Sequence, residues 1–187
     1  AAVVDDKTVA EANQNSFLVD DVLETLQFLA QHHRKQFNIP LIALTGSNGK
    51  TTTKALIQAV LNSSFEVLAT EGNFNNYIGV PLTLLQLTRK HTHAIVEMGA
   101  NHIGEIDFLC SIAEPTHGLI TNVGKAHLEG FGSEEGVLQG KTELYGFIKK
   151  NNGLIFVNEE DDKLINALGD VAYISYNPSE FTIVHDQ

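Results

Sequence analysis

Long apolar runs are missing from this chain: no segment approaches the roughly 18 consecutive apolar residues that a membrane-spanning helix needs. The opening stretch, Ala1 to Asp6, lacks a basic segment ahead of an apolar one, so no secretory leader is expected. Cysteine is nearly absent as well. Cys110 alone permits no intrachain disulfide, which suits a reducing compartment, and the expected location is the cytoplasm. Its neighbours Ile106, Leu109, Ile112 and Ala113 mark that cysteine as core filling. Basic residues are scarce: 12 Lys and Arg against 23 Asp and Glu leave a net charge of −11. Such a balance excludes the broad positive surface of a general nucleic-acid or anionic-membrane binder. It does not exclude a nucleotide held by backbone N–H groups, one lysine and a metal. The chain also has no repeats, low-complexity tracts or long linkers. What is present, 187 residues with 43% hydrophobic content, suits one substantial domain, or one domain plus a piece of a second.

The apolar pattern alternates. A short run at 17–19 reads as a strand, and Asp20 then caps a helix in which Val22, Leu23, Leu26, Leu29, Ala30 and Phe37 recur at three- and four-residue spacing. Asn38 and Pro40 end it, and 41–44 is the continuous apolar strand of a buried parallel sheet. Helices follow at 51–61, 80–87, 103–113, 133–150 and 161–168, with strands at 65–69, 94–96, 118–121, 154–157 and 172–175. This alternation predicts an α/β fold, a mainly parallel sheet flanked by helices. Ligands of such sheets bind beyond the carboxyl ends of the strands. Every chemically suggestive segment here follows a predicted strand.

The first is Thr45-Gly46-Ser47-Asn48-Gly49-Lys50-Thr51-Thr52. Its glycines allow a tight turn with backbone N–H groups close to phosphate oxygens, and the helix start adds partial positive charge. Gly46, Ser47, Asn48, Gly49 and Thr52 would form the cradle. Lys50 would reach the terminal phosphates of ATP, and the Thr51 hydroxyl would ligate Mg²⁺. An ordinary capped turn is the alternative. Leu44 stands where the general phosphate-loop pattern has glycine, so this loop is the shorter G-x-x-G-K-T form.

Three further segments carry polar chemistry. Asn73, Asn75 and Asn76 crowd the loop Thr70-Glu71-Gly72-Asn73-Phe74-Asn75-Asn76-Tyr77-Ile78-Gly79-Val80-Pro81, which reads either as a ligand loop or as a solvated turn. Glu97 ends a buried strand in Glu97-Met98-Gly99, where an unpaired carboxylate is costly; a Mg²⁺ ion or a basic side chain would satisfy it. Asn122 and His127 lie in Asn122-Val123-Gly124-Lys125-Ala126-His127, and Lys141 lies in Gly140-Lys141-Thr142-Glu143.

The short phosphate loop, the Glu-Met-Gly end of its strand and the N-x-x-x-x-H string together resemble the Mur ligases and the related folylpolyglutamate synthetases. The asparagine loop resembles most closely the branch of Mur ligases that adds D-Ala-D-Ala. This resemblance implies catalytic roles for Lys50, Glu97, His127 and Lys141. It implies nucleotide contacts from the phosphate loop, Asn73, Asn76 and Asn122, and Mg²⁺ ligation by Thr51, Glu97, His127 and Lys141. The lysine would serve as a carbamate, since the matching lysine is carbamylated in several family members and a bare ammonium would repel the metal. The alternative is a lysine on the exposed face of an amphipathic helix. The implied reaction joins D-Ala-D-Ala to UDP-N-acetylmuramoyl-tripeptide, through an acyl phosphate formed with ATP, in a monomeric enzyme of three domains. Residues 1–38 would end the first domain and residues 39–187 would form much of the central one. No match to the family's later His-Asn segment appears at His185-Asp186-Gln187, so the expected piece binds nucleotide without completing a ligase. Rival readings are another member of the superfamily, a P-loop kinase or NTPase switch, and a nucleotide-binding module without catalysis.

Overall fold

The structure is a computed structural model and describes residues 1–124 and 128–177. A small parallel pair, β1 (Ala2–Val4) and β2 (Ser16–Leu18), is joined by α1 (Lys7–Ala12). The carboxylate of Asp6 caps α1 by accepting from the N–H groups of Thr8 and Val9. Neither β1 nor α1 was expected, because three and six residues are too few to display a period.

Next comes α2 (Val22–Arg34), capped by Asp21 and not by the expected Asp20. It stops at Arg34, short of Phe37. The body of the protein is a six-stranded sheet in the order β4 (Val67–Ala69), β5 (His93–Glu97), β3 (Leu41–Thr45), β6 (His117–Ile120), β7 (Leu154–Asn158), β8 (Tyr173–Tyr176). All five pairings are parallel. The helices α3 (Lys50–Leu61), α4 (Gly79–Leu84), α5 (Glu105–Ala113), α6 (Leu128–Phe131), α7 (Glu134–Lys150) and α8 (Asp162–Ala167) make the crossovers.

Both faces of the sheet are covered, so successive strand residues enter different cores. Leu41, Ala43, Ala94 and Val96 join the larger core with α2, α4, α5 and α7, whereas Leu44, Ile95 and Leu119 pack under Ile57 and Leu61 of α3. That is why the strands read as unbroken apolar runs. Cys110 fills the larger core, its thiol 3.7 Å from the Met98 sulfur, and burial raises its pKa. Among the described residues no helix is long and apolar enough to cross a membrane.

The strand order reverses at β3. The chain first crosses to the edge strand β4 and returns through β5 to the side of β3, then builds outward through β6, β7 and β8 on the other side. The loops after β3, β5 and β6 therefore converge at one topological switch point, the crevice where such sheets bind ligands.

One buried side chain ties α2 to this body. Arg34, 6% exposed, donates to the carbonyl oxygens of Ala113 and Glu114 at the end of α5 and to those of Phe37 and Ile39 after α2. Helix ends leave such carbonyls without intrahelical donors. Arg34→Met should therefore lower unfolding stability in urea by about 3 kcal/mol. Arg34→Lys should recover only part of it, because a single ammonium lacks the planar fork. A loss under about 1 kcal/mol for Arg34→Met would contradict this role.

Candidate nucleotide and metal site

The loop between β3 and α3 is held from one side by the segment that leaves β6. The N–H of Ser47 donates to the Asn122 carbonyl at 3.0 Å, and the N–H of Asn48 to Asn122 Oδ1 at 3.1 Å. Asn122 Nδ2 and the Thr121 hydroxyl both donate to the Asn48 carbonyl, at 3.0 and 2.7 Å. Ser47 Oγ in turn accepts from the N–H of Gly124. Asn122 thus braces the loop with both ends of its amide. Gly46 has φ +147° and so little room that a Cβ there would lie 2.0 Å from Thr121 Oγ1. Gly49, at φ +77°, is the N-cap of α3 and supplies no side-chain cap. The first-turn N–H groups of α3, including those of Thr51 and Thr52, lack intrahelical acceptors and face out as an anion cradle. Lys50 folds back across the loop, its Nζ 2.8 Å from the Gly46 carbonyl.

Directly beside this cradle is Glu97, at the carboxyl end of β5 and 1% exposed. Its carboxylate accepts from Thr51 Oγ1 at 3.1 Å, from Asn75 Nδ2 at 2.9 Å and from Lys54, whose ammonium is 3.3 Å away. The basic partner that sequence offered as the alternative to a metal is therefore present, and it is Lys54. A hydroxyl and a carboxylate in contact, next to an uncapped helix start, are the hard oxygen donors that suit Mg²⁺ on a phosphate. The residues present fit a magnesium-bearing nucleotide.

Lys141 projects from α7 and is 1% exposed, which excludes the surface-lysine alternative. Its Nζ donates to the Ala100 carbonyl at 3.1 Å and lies 5.3 Å from the centre of the Phe131 ring. Burial, aided by the positive charge of Lys50, lowers its pKa from 10.5 to about 8, against the opposing pull of Glu105 and Glu143. The same helix steadies the loop that leaves β5: Glu143 accepts from the N–H groups of Gly104 and Asp107. Glu105 accepts from those of Asn101 and His102.

A cavity of about 710 Å³ opens between α2, the asparagine loop and the loop after β5. Lys50 reaches into it, with Asn73, Asn75, Asn76, Asn101 and Gln27 on its polar side and Leu23, Tyr77 and Phe108 on its apolar side. Asn76 also steadies the entry to α4, its Oδ1 accepting from the N–H groups of Ile78 and Gly79. The structure thus gathers Lys50, Thr51, Glu97, Asn73, Asn76 and Asn122 around one crevice, with Lys141 behind it. His127 lies outside the described residues. The sequence placed Asn75 in the candidate ligand loop without a role of its own and pointed to no role for Lys54. Lys54 stands four residues after Lys50 on α3, so its place on the same helix face was legible; that it would turn inward to Glu97 was not.

The family described as the Mur ligase middle domain matches residues 44–182. The UDP-N-acetylmuramoyl-tripeptide–D-alanyl-D-alanine ligase of Bacillus subtilis is 43% identical over 162 residues, 86% of this chain and 35% of that protein. The Synechocystis protein of the same name is 50% identical over 145 residues, 76% of this chain and 32% of its own length. Among solved structures, the MurF ligase of Thermotoga maritima in complex with ADP superposes with a TM-score of 0.84 at 32% identity, covering 94% of this chain and 40% of that one. MurF from Acinetobacter baumannii gives 0.83 at 37% identity, covering 94% of this chain and 39% of its own. The chain spans about a third of the length of these curated relatives. Escherichia coli FolC, at 13% identity and a TM-score of 0.55, shares the fold. With its parallel sheet, its braced phosphate loop and the match over residues 44–182, this chain belongs to the Mur ligase family.

Proposed function

We propose that this chain supplies the ATP site of an ATP-dependent ligase that joins D-Ala-D-Ala to UDP-N-acetylmuramoyl-tripeptide in peptidoglycan precursor synthesis. The observation that carries this reading is the contact of Thr51 with Glu97 directly beside the uncapped start of α3. The names of the relatives at 43% and 50% identity supply the substrate pair. Residues 1–38 are assigned to the exit from a preceding substrate domain, with α2 as the connecting helix, and residues 39–187 to the central domain.

In this reading the first-turn N–H groups of α3 and Lys50 hold the phosphates, and Thr51 and Glu97 hold the metal. His127 is assigned to the same metal region, as the family resemblance implies. The terminal carboxylate of the tripeptide attacks the γ-phosphorus of ATP, ADP leaves, and an acyl phosphate forms. The amine of D-Ala-D-Ala then adds to the acyl carbon, the tetrahedral intermediate collapses, and inorganic phosphate departs. Mg²⁺, when bound, neutralises charge on the phosphoryl oxygens. No side-chain nucleophile is required, so the chain's contribution is positioning and electrostatics. The amide-rich cavity beside Lys50 is the assigned seat of the tripeptide end, since neutral amides read peptide and carboxylate groups without adding net charge.

Lys141 is assigned a carbamate. Its amine is buried and feels the positive charge of Lys50, and a fall of its pKa to about 8 raises the neutral fraction that attacks CO₂. The neutral amine forms a C–N bond to CO₂ and releases one proton; counted from the ammonium, two protons leave as a cation becomes an anion with oxygen donors. ¹³C NMR with labelled bicarbonate should show one slowly exchanging carbamate resonance, absent in Lys141→Met. Its presence in that variant would remove the assignment.

ATP binding with Mg²⁺, followed by calorimetry, should weaken roughly 10- to 150-fold in Lys50→Ala, matching the ~1.5–3 kcal/mol of a charged hydrogen bond. Equal binding by both proteins would place the nucleotide elsewhere.

A pH test follows from the lowered pKa of Lys141. The folded chain disfavours the protonated amine, so this group destabilises the fold fully below about pH 8 and progressively less towards 10.5. Within that window the unfolded chain carries a proton that the folded chain lacks. In CO₂-free buffer, urea stability should rise more from pH 8 to pH 10 in the wild type than in Lys141→Met. Parallel pH profiles would contradict the lowered pKa.

A further inference from the structure

Lys54 has no assigned place in the reaction, yet it is among the most enclosed charges in the protein, with 6% of its side chain exposed. It leaves α3 one turn after the phosphate loop. Its ammonium lies 3.3 Å from Glu97 Oε2 and donates at 3.2 Å to the carbonyl of Gly72, at the start of the asparagine loop. Glu97, with 2% of its side chain exposed, takes its other contacts from the neutral groups of Thr51 and Asn75. Lys54 is therefore the one full positive charge in contact with the carboxylate among the described residues. An ion pair this enclosed is poorly screened by salt or water.

We propose that Lys54 is a resident countercation that keeps free divalent metal off Glu97, so that the carboxylate accepts Mg²⁺ only when phosphates arrive with it. The inference rests on the reading of Glu97 as a metal ligand. A bare divalent ion approaching Glu97 meets an ammonium already seated on one oxygen, and the repulsion acts in a low-dielectric setting. A metal carried on ATP phosphates brings its own negative charge, so the net repulsion falls. The tether to Gly72 gives the ammonium a second fixed acceptor, which holds it in place whether or not the metal is present. Without nucleotide, Glu97 stays paired and the loops after β4 and β5 keep their positions. Lys54 is in this sense a positioning residue, acting through Glu97.

The test is titration of Mn²⁺, followed by the electron paramagnetic resonance of the free ion, with and without ADP. The proteins are the wild-type chain, Lys54→Gln, Lys54→Arg and Glu97→Gln. Nucleotide-free Mn²⁺ affinity should rise at least ~10-fold in Lys54→Gln, which removes the charge and keeps a donor for Gly72. With ADP present the same variant should gain less than about threefold. Lys54→Arg should bind as weakly as the wild type without nucleotide. Unchanged or weaker nucleotide-free affinity in Lys54→Gln overturns the proposal, as does tight binding in Lys54→Arg. Removing the ammonium leaves a buried carboxylate unpaired, so Lys54→Gln has a built-in second readout. If it is unfolded alone, millimolar Mg²⁺ should restore its circular dichroism and thermal transition, and failure to do so also overturns the proposal. Glu97→Gln separates the two levels of argument: it should lose the Mn²⁺ binding that ADP supports. If it keeps that binding, the assignment of Glu97 as a ligand has failed, and the countercation role falls with it. If it loses the binding while Lys54→Gln gains nothing, only the countercation role has failed.

Discussion

A carboxylate buried at the end of a central strand is the constraint around which this protein is arranged. Glu97 is 1% exposed at the edge of the switch point, and a charge in that position is tolerated only when it is paired and hydrogen-bonded. The side-chain partners come from two directions. Thr51 and Lys54 come from α3, fixed in turn by the phosphate loop, and Asn75 comes from the asparagine loop. Gly99 follows Glu97 closely, and its N–H donates to the Asn75 carbonyl, so strand, loop and helix are closed on one another. Satisfying one carboxylate thus fixes the relative placement of the phosphate cradle and the neighbouring cavity.

A second layer of braces keeps the loops themselves in place. Asn122 and Thr121 hold the phosphate loop from β6, and Glu143 holds the start of α5 from α7. Lys141 completes that layer with its bond to Ala100. The loops carry little regular structure of their own, yet each is tied to a strand end or a helix by side-chain hydrogen bonds. Preorganisation of this kind is what phosphoryl transfer asks of a protein, because the chemistry depends on placement and charge more than on any reacting side chain.

The fold was legible where long segments repeat a period or bury both faces. Strands β3 and β5 read as unbroken apolar runs because Ala43 and Leu44, or Ile95 and Val96, enter opposite cores. Helix α7 announced itself through Ser133 at its cap and 17 residues of pattern. The elements passed over, β1, α1 and α6, are three, six and four residues long, below what periodicity resolves. The phosphate loop was legible because backbone geometry demands glycine at fixed positions. Lys54, Asn75 and Glu143 were not, because their roles depend on which distant loop each side chain meets. The Lys54–Glu97 pair spans two strands and a helix in sequence, and only the sheet order brings it together.

The most direct measurement is a crystal structure of this chain with Mn²⁺ and a non-hydrolysable ATP analogue, located by the anomalous signal of the metal. The account predicts phosphates over residues 46–52 and a metal peak about 2.0–2.2 Å from Thr51 Oγ1 and a Glu97 oxygen. A nucleotide bound away from the start of α3, or a metal on the phosphates with Glu97 still closed onto Lys54 and Thr51, would contradict it.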